Sequence, residues 1–328
     1  MPRTVLPEGE RITSLHALAD RLSTNRYSFS PTNPASIDDR HRLVRLRLPK
    51  GNLPFVNETV ALVVDGTCMY RFGPAQDPRG VWFGSHLFVF YSRVADASRL
   101  ISSRPSEIRM ALRNLSAPEE EVLLRQPSSA SPFRKFFNWE KNWTPFLHQG
   151  TLYLSYRLEP HVGPPSRSNL SWASGPPSAH WALCSAVLRC NWGSGSCDVA
   201  HHTNSTAAWA HHRTSLRMGA RGSSPAVLLR GYSTFLGIAH FRTQSGVYEH
   251  CFYEFGATPP FVMLRSSGRF VFNASSRIQF VAGMYKLRDS LVVSYGVGDV
   301  AAMETRIPIS AALSLLRRSN VRTRTFAL

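Results

Sequence analysis

The sequence predicts an all-β protein built from the repeating units of a β-propeller. Four apolar, aromatic-rich runs begin at residues 87, 152, 235 and 291, a spacing that is too long for hairpins and suits four-stranded units. A short polar cluster precedes each run. β-Branched and aromatic segments alternate with Gly, Pro and Ser turns from about Val56 to Ile309, as expected for many short strands.

Each polar cluster and its apolar run are expected to form the first two strands of one unit. The four pairs are residues 77–79 with 87–91, 140–143 with 152–156, 221–225 with 235–240, and 279–283 with 291–295. The first strand of each propeller unit lines the central channel. The polar clusters should therefore converge on one axial pocket.

The segments outside the repeats predict further divisions of the chain. Within the first 50 residues we expect a helix from Ser14 to Leu22 and a linker from Ser28 to Ser36. Residues 163–220 are rich in Pro, Ser and Gly and are predicted to be a partly disordered insertion between blades. Ser310 should cap a C-terminal helix. The predicted domains are 1–50, an N-terminal appendage and linker; 51–310, the propeller; and 311–328, the C-terminal helix and a basic tail.

The charge of the chain argues for a small anionic partner. Its 328 residues carry a net charge of +17, yet 34 of the 38 basic residues are scattered arginines that form no stripe for a nucleic acid. We therefore predict no nucleic-acid partner and expect an anion such as phosphate or a nucleotide-sugar. No stretch approaches the roughly 20 apolar residues of a membrane span, so a soluble protein is expected. The oligomeric state stays open.

The compartment is not fixed by the sequence. The first residues lack the apolar core of a signal peptide, whereas six Asn-x-Ser/Thr sequons point to a secretory lumen. Cytoplasmic and lumenal locations both stay open. Five cysteines without a Cys-x-x-Cys pair allow no disulfide framework to be assigned, and the spacings of Cys184, Cys190 and Cys197 fit no zinc pattern. We predict no metal and no cofactor.

The first two polar clusters carry the strongest chemical signals. Asp77 and Arg79 flank Pro78, so they suit an acid or base beside an anion clamp, or else an Asx-turn with an ion pair. In the second cluster, Glu140 and Lys141 are followed by Asn142 and Trp143. Lysine is costly to bury unless it is paired or faces a polar cavity. Lys141 is therefore either a phosphate ligand, with Trp143 stacking on a sugar, or the partner of Glu140.

The remaining candidates are weaker. The cluster at 221–225 could present backbone N–H groups to an anion or could be a plain turn. A lone histidine at the end of an apolar run, such as His240, is more often a satisfied core residue than a functional one. The further candidate binding residues are Arg221, Ser224, His240, Tyr248, His250, Tyr295 and Asp299.

Taken together, these motifs resemble the five-bladed propeller group that includes the β-mannoside phosphorylases of glycoside hydrolase family 130 and related eukaryotic β-mannosyltransferases. Residues 76–79 (Gln-Asp-Pro-Arg) resemble the group's Glu-Asp-Pro-Arg motif, and residues 140–146 resemble its Asp/Glu-Lys-Asn-x-x-x-Phe motif. Residues 222–225, 237–240 and 278–299 are similar to later segments. The resemblance spans about residues 56–310 and implies five blades. Gln76 departs from the group's usual Glu.

By this resemblance Asp77 would be the single catalytic acid, while Arg79, Lys141 and His240 would bind phosphate or a nucleotide phosphate. One carboxylate is enough for an inverting phosphorylase, because phosphate is itself the nucleophile. The implied activity is transfer of a hexosyl group, expected to be mannosyl, between a glycoside and phosphate or a nucleotide-sugar. The subclass, whether glycosyltransferase, phosphorylase or hydrolase, stays open. The alternative is a propeller that binds glycans or a protein without catalysis.

Overall fold

The structure, a computed structural model, describes the larger part of the chain. The described ranges are 58–64, 67–83, 86–94, 107–114, 117–125, 141–158, 184–209, 212, 216–272, 275–298 and 301–316, with seven short strands outside them. The strands of the first half are β1 Thr4–Val5, β2 Glu10–Arg11, β3 Arg26–Phe29, β4 His41–Arg47, β5 Glu58–Val64, β6 Thr67–Phe83, β7 His86–Val94, β8 Leu100–Ile101, β9 Arg104–Pro105, β10 Glu107–Asn114, β11 Ala117–Leu123 and β12 Asn138–Trp139.

The second half contains the remaining strands and the helices. The strands are β13 Thr144–His148, β14 Thr151–Arg157, β15 Cys184–Cys190, β16 Cys197–Asn204, β17 Leu216–Gly222, β18 Val227–Leu229, β19 Thr234–Thr243, β20 Tyr248–Gly256, β21 Met263–Ser266, β22 Phe270–Val271, β23 Gln279–Leu287, β24 Ser290–Val297 and β25 Ala301–Pro308. The helices are α1 Thr206–Trp209, a 3-10 turn at Arg230–Tyr232, and α2 Ile309–Ser314.

These strands form a propeller-like, all-β arrangement, as the sequence predicts. Four sheets of four or more strands are present in the described part of the chain. In the first, the order is β11-β10-β7-β6-β5-β4-β3 with β12 beside β10; in the second, β13-β14-β15-β16; in the third, β17-β19-β20-β22-β1 with β18 and β21; and in the fourth, β23-β24-β25-β2. The clusters at 77–79, 221–225 and 279–283 lie in or at the end of β6, β17 and β23, which are antiparallel neighbours of the strands with the apolar runs, β7, β19 and β24. The cluster at 140–143 directly precedes β13, the neighbour of β14.

The count of four sheets differs from the five blades that the resemblance implied. The reason lies in β6, which is 17 residues long. Its first half pairs with β5 and its second half pairs with β7. Two four-stranded ladders are thereby joined into one sheet.

Apolar side chains hold successive sheets face to face. One core cluster lies between the first and second sheets and includes Phe90 and Leu154. A second cluster, with Phe146 and Phe241, lies between the second and third sheets. A third, which includes Leu291, lies between the third and fourth sheets. Face-to-face packing buries both sides of the middle strands, so they are apolar along their length and do not alternate.

The predicted insertion at 163–220 is partly wrong. Residues 184–204 supply β15 and β16, the outer strands of the second sheet. A disulfide between Cys190 and Cys197 links these two strands, although the cysteine spacing gave no basis for assigning one. The frequent Ser, Cys, His and Arg residues hid a strand pattern that buries the segment from Ser185 to Leu188. Residues 159–183 lie outside the described part.

The first 50 residues contribute strands to the same sheets. β1 pairs with β22, β2 with β25, and β4 with β5. Ser28, the predicted start of the linker, lies in β3. The helix predicted from Ser14 lies outside the described residues, and the domain boundary at residue 50 stays a prediction.

The predicted C-terminal helix is confirmed as α2. It begins after Pro308 rather than at Ser310, and it buries Ile309 and Ala312 against the fourth sheet. No helix in the described ranges is long and apolar enough to cross a membrane.

Candidate functional site

The predicted polar clusters lie where inner strands depart from regular pairing. One extra residue interrupts the ladder in three strands, between Gln76 and Arg79 in β6, Met218 and Arg221 in β17, and Val281 and Gly283 in β23. Such β-bulges bend a strand and re-aim its side chains. Each bulge therefore points the polar side chains near it in a direction that differs from the regular alternation of the strand.

Two residues of these clusters have left-handed backbone conformations. Asp77 has a φ of 54° and Asn142 a φ of 67°. For a residue with a side chain this conformation costs on the order of 1–3 kcal/mol and is retained where the surrounding structure enforces it. Pro78 follows Asp77 in the bulge, where a missing N–H removes no ladder bond. Both motifs that carry the chemical signal therefore contain a strained residue.

The guanidinium of Arg79 joins three of the clusters. It is fully buried, and its Nε donates to the carbonyl oxygen of Ser223 at 2.5 Å. Its Nη1 donates to the backbone oxygen of Asp77 at 2.9 Å. Its Nη2 lies 3.3 Å from both Asn142 Oδ1 and the carbonyl oxygen of Gly222. The clusters at 77–79, 140–143 and 221–225 therefore meet, as predicted.

Arg79 remains a cation in this environment. Burial lowers its pKa to about 10, while the nearby Asp77 and Tyr253 act in the opposite direction. The guanidinium also lies 5.7 Å from the centre of the Phe280 ring, which brings the fourth cluster to the same place. Because four hydrogen bonds already go to protein acceptors, the geometry favours a positioning role for Arg79 over the predicted direct contact with phosphate.

A close backbone approach fixes the distance between β17 and the segment before β13. A Cβ atom added at Gly222 would lie 1.9 Å from Thr144 Oγ1 and 2.6 Å from the carbonyl oxygen of Asn142. Only glycine fits there. Its absent side chain lets the carbonyl groups of 222 and 223 reach Arg79.

His240 lies beside this network in β19. Its Nδ1 is 2.8 Å from Ser223 Oγ, and its ring stacks on Tyr248 and meets the edge of Phe280. The pKa of His240 is lowered well below its usual value, chiefly by burial. The neighbouring ionisable groups that add to this effect are His250, Arg221, Arg79 and Lys141. The imidazole is therefore neutral at neutral pH and is surrounded by cationic side chains.

Two predicted binding residues lie behind the site. His250 is paired across the ladder with His240 and is fully buried, with rings of Phe270 and Phe272 against it. Neither of its ring nitrogens has a hydrogen-bond partner in the described residues, and burial lowers its pKa to about 3. Tyr295 stacks on Phe272 at 4.4 Å within the apolar core. Both positions disfavour direct contact with a ligand.

Two other predictions are corrected in the same way. Trp143 is buried in the core between the first and second sheets and packs edge-on against Tyr156, so it has no free face for a sugar. The Ser224 hydroxyl is buried and accepts a hydrogen bond from the N–H of Ile238 at 3.0 Å. Glu140 and Asp299 lie outside the residues whose side chains the structure describes.

The sequence analysis missed Gly222, Ser223 and Phe280 as site residues. All three belong to the predicted clusters, but nothing in the sequence distinguishes Ser223 from its neighbour Ser224. In the described part of the chain no three His, Cys, Asp or Glu side chains are grouped closely enough to hold a metal ion. Cys190 and Cys197 form a disulfide and so have no thiolate with which to bind a metal.

No family model matches the sequence, and no curated protein matches it. Several solved structures are similar to this chain. The β-1,2-mannobiose phosphorylase of Listeria innocua, in complex with β-1,2-mannobiose, aligns with a TM-score of 0.55 at 14% identity, over 89% of this chain and 91% of that one. The chain has the fold of the family 130 propellers.

A second structure gives the same result. It represents the GH130 family of mannoside phosphorylases, which contains glycoside hydrolases that target β-1,2-mannosidic linkages in Candida mannan. It aligns with a TM-score of 0.52 at 13% identity, over 94% of this chain and 97% of that one. Likeness at this identity establishes the fold, and the chemistry has to be argued from the residues of the site.

Proposed function

We propose that this chain is a carbohydrate-active enzyme that transfers a hexosyl group, the expected sugar being mannose, between a glycoside and phosphate or a nucleotide-sugar. The observation that carries the proposal is that Arg79 joins Asp77, Asn142 and the 222–223 segment, whose Ser223 is hydrogen-bonded to His240. A buried carboxylate beside a group of cations provides both an acid and an anion subsite. The neighbouring family 130 structures support this substrate class.

Asp77 is assigned the proton transfer. In the phosphorolytic direction a phosphate oxygen forms a bond to the anomeric carbon while the bond to the glycosidic oxygen breaks, and Asp77 protonates that oxygen. Attack from the opposite face inverts the configuration, and no second carboxylate is needed. The reverse reaction moves the same proton from an acceptor hydroxyl to Asp77 as phosphate leaves. With a nucleotide-sugar donor, the nucleoside diphosphate takes the place of phosphate as the leaving group.

Lys141, Arg221 and His240 are assigned to the phosphate-bearing partner. The charges of Lys141 and Arg221 both act on the His240 ring, so the three side chains lie within electrostatic range of one another. Arg79 adds positive potential from behind and holds the strands in place. Tyr248 stacks on His240 and closes one side of this subsite.

We further propose that the protein has five blades. The two ladders that share β6 would be separate blades, because each half of that strand has its own partner. β6 would then leave the outer edge of one blade and enter the next as its inner strand, which is the usual connection in a propeller.

Asp77→Asn tests the mechanism. The amide keeps the size and hydrogen bonding of the carboxylate but cannot supply the proton, so we expect kcat to fall by about 10²–10⁴-fold while the fold persists. Turnover would be measured with phosphate plus mannobioses and with GDP-mannose plus mannose. Asp198→Asn, at an exposed position in β16, is the matched control. Wild-type turnover in Asp77→Asn would remove the proposed mechanism.

The alternative is a propeller that binds glycans without catalysis. It would be favoured if calorimetry detected binding of mannobioses while both assays stayed silent at high protein concentration. The burial of Trp143 argues against this alternative, since the stacking surface that a glycan-binding module would use there is not available.

A further inference from the structure

A serine that the sequence analysis passed over lies directly behind His240. Ser223 is fully buried at the end of β17. Its N–H donates to the carbonyl oxygen of Ile238 at 3.1 Å, and its own carbonyl accepts from Arg79 Nε. Both backbone groups are therefore tied to neighbouring strands. The hydroxyl is thereby fixed at 2.8 Å from His240 Nδ1.

The direction of this hydrogen bond follows from burial. His240 Nδ1 is the one hydrogen-bond partner of the Ser223 hydroxyl among the described residues. A buried O–H group needs an acceptor, and Nδ1 accepts only when it carries no proton. Ser223 therefore donates to His240. A neutral imidazole in this arrangement carries its single proton on Nε2.

The ring of His240 is held in the orientation that this bond requires. Tyr248 stacks on it with centroids 5.8 Å apart, and Phe280 meets its edge at 5.1 Å. Nε2 faces away from Ser223 and has no hydrogen-bond partner in the part of the chain that the structure describes. An N–H group without an acceptor, surrounded by positive charge, is suited to an anionic oxygen.

The charged groups around His240 come from several elements. Arg79 acts on it from β6, Arg221 from β17 and Lys141 from the segment before β13, and the neutral His250 lies opposite it in β20. All of these act against a second proton on the ring. The donor is consequently the neutral imidazole.

We propose that Ser223 is a positioning residue that holds His240 in its Nε2–H tautomer, so that the neutral ring donates a hydrogen bond to a phosphate oxygen of the ligand. This inference rests on the proposed function for the identity of the ligand. The tautomer itself does not depend on it. Inorganic phosphate and the diphosphate of a nucleotide-sugar share the required chemistry.

The tautomer can be measured on the full chain without any substrate. Protein labelled with ¹⁵N-histidine would be studied by long-range ¹H–¹⁵N correlation at pH 7.5, and His240→Gln would assign the signals of residue 240. We expect the wild-type ring to be protonated at Nε2, and Ser223→Ala to shift the populations toward the other tautomer. A wild-type ring protonated at Nδ1, or a Ser223→Ala spectrum identical to wild type at residue 240, would overturn the proposal.

The consequence for the ligand is measured separately. Ser223→Ala should raise the KM for the phosphate-bearing substrate about 3- to 10-fold with kcat changed less than about 2-fold, because a charge-assisted hydrogen bond is weakened. Ser223→Thr keeps the hydroxyl and should restore the tautomer and the KM. Inorganic phosphate and GDP-mannose would be titrated in parallel, and the ligand that shifts the His240 signals identifies the source of the phosphate.

The outcomes separate the two proposals. A wild-type protein without turnover whose His240 signals still respond to one of these ligands would contradict the enzyme and support the positioning role. If neither ligand shifts the His240 signals, His240 does not donate a hydrogen bond to phosphate, and this part of the proposal is wrong for either tautomer. If Ser223→Ala does not fold, the tautomer of the wild-type protein decides the question alone.

Discussion

Arg79 in the β6 bulge and His240 in β19 were predicted to bind the same anion, yet their surroundings differ. Four of the five N–H donors of Arg79 go to protein oxygens on three segments. His240 has one nitrogen hydrogen-bonded to Ser223 and the other without a partner in the described residues. A basic side chain is therefore held in place by the structure to the extent that protein acceptors take up its donors, and it can bind a ligand only with the donors that remain.

The strongest test of this comparison is Arg79→Met. Removing the guanidinium leaves the carbonyl groups of Asp77, Gly222 and Ser223 without these donors, at about 1–3 kcal/mol for each buried group. We expect the free energy of unfolding to fall by about 4–5 kcal/mol in urea titrations. Arg189→Met, at an exposed site in β15, should change it by less than about 0.5 kcal/mol. Unchanged stability with lost phosphate affinity would instead make Arg79 a ligand contact.

Lys141→Ala should show the opposite behaviour. Lys141 is half-buried and contributes positive potential at His240. We expect its removal to weaken binding of the phosphate-bearing substrate by about 2–5 kcal/mol, seen mainly as a raised KM, with little loss of stability. Lys286→Ala, a half-buried lysine near the far end of β23, is the matched control. An unfolded Lys141→Ala would indicate a structural ion pair in place of a ligand contact.

His250→Phe should give the smallest change in the free energy of unfolding, and it tests whether His250 belongs to the site. His250 is neutral when folded because burial lowers its pKa to about 3, whereas an unfolded histidine titrates near 6.5. The unfolded state therefore binds more protons below pH 6.5, so the free energy of unfolding should fall by up to about 1.4 kcal/mol per pH unit as the pH decreases.

In His250→Phe this contribution disappears. The aromatic replacement suits a ring that already lies against Phe270 and Phe272. Stability at pH 7.5 should stay within about 1 kcal/mol of wild type, and the decline from pH 6.5 to 5 should be shallower. KM values should be unchanged. A variant that loses phosphate binding would place His250 inside the site.

The sequence predicted those parts of the fold that repeat. The runs at 87, 152, 235 and 291 became β7, β14, β19 and β24, because strands buried on both faces need continuous apolar residues. β15 and β16 were missed, since their frequent Ser, Cys, His and Arg residues do not form a continuous apolar run, although Ser185 to Leu188 are buried. Pro78 was expected to place Asp77 and Arg79 at a strand edge, and in the structure a bulge between Gln76 and Arg79 lets β6 continue past the proline.

The site was predicted less completely than the fold. The repeat predicted that the polar clusters converge, and Arg79 does join the segments at 77, 142 and 222–223. The roles of Asp77, Arg79 and His240 in a site stay a prediction. Residue type could not distinguish Ser223 from Ser224. The hydroxyl of Ser223 is hydrogen-bonded to the His240 ring, whereas that of Ser224 accepts from the N–H of Ile238. Nor could residue type show that Trp143 points into the core. Such distinctions depend on side-chain direction at bulges, which local sequence does not encode.

The pairing of β2 with β25 has a consequence for how the chain is made. Glu10 lies opposite Glu304, so the fourth sheet is completed by a strand that is synthesised about 290 residues before its partner. At about 5–20 residues per second, its partner strand follows roughly 15–60 s later. During that interval β2 has no partner in the register of the fourth sheet, and this sheet stays incomplete until β25 has been made. Chaperone protection of nascent β2 would shorten the time in which it could pair wrongly.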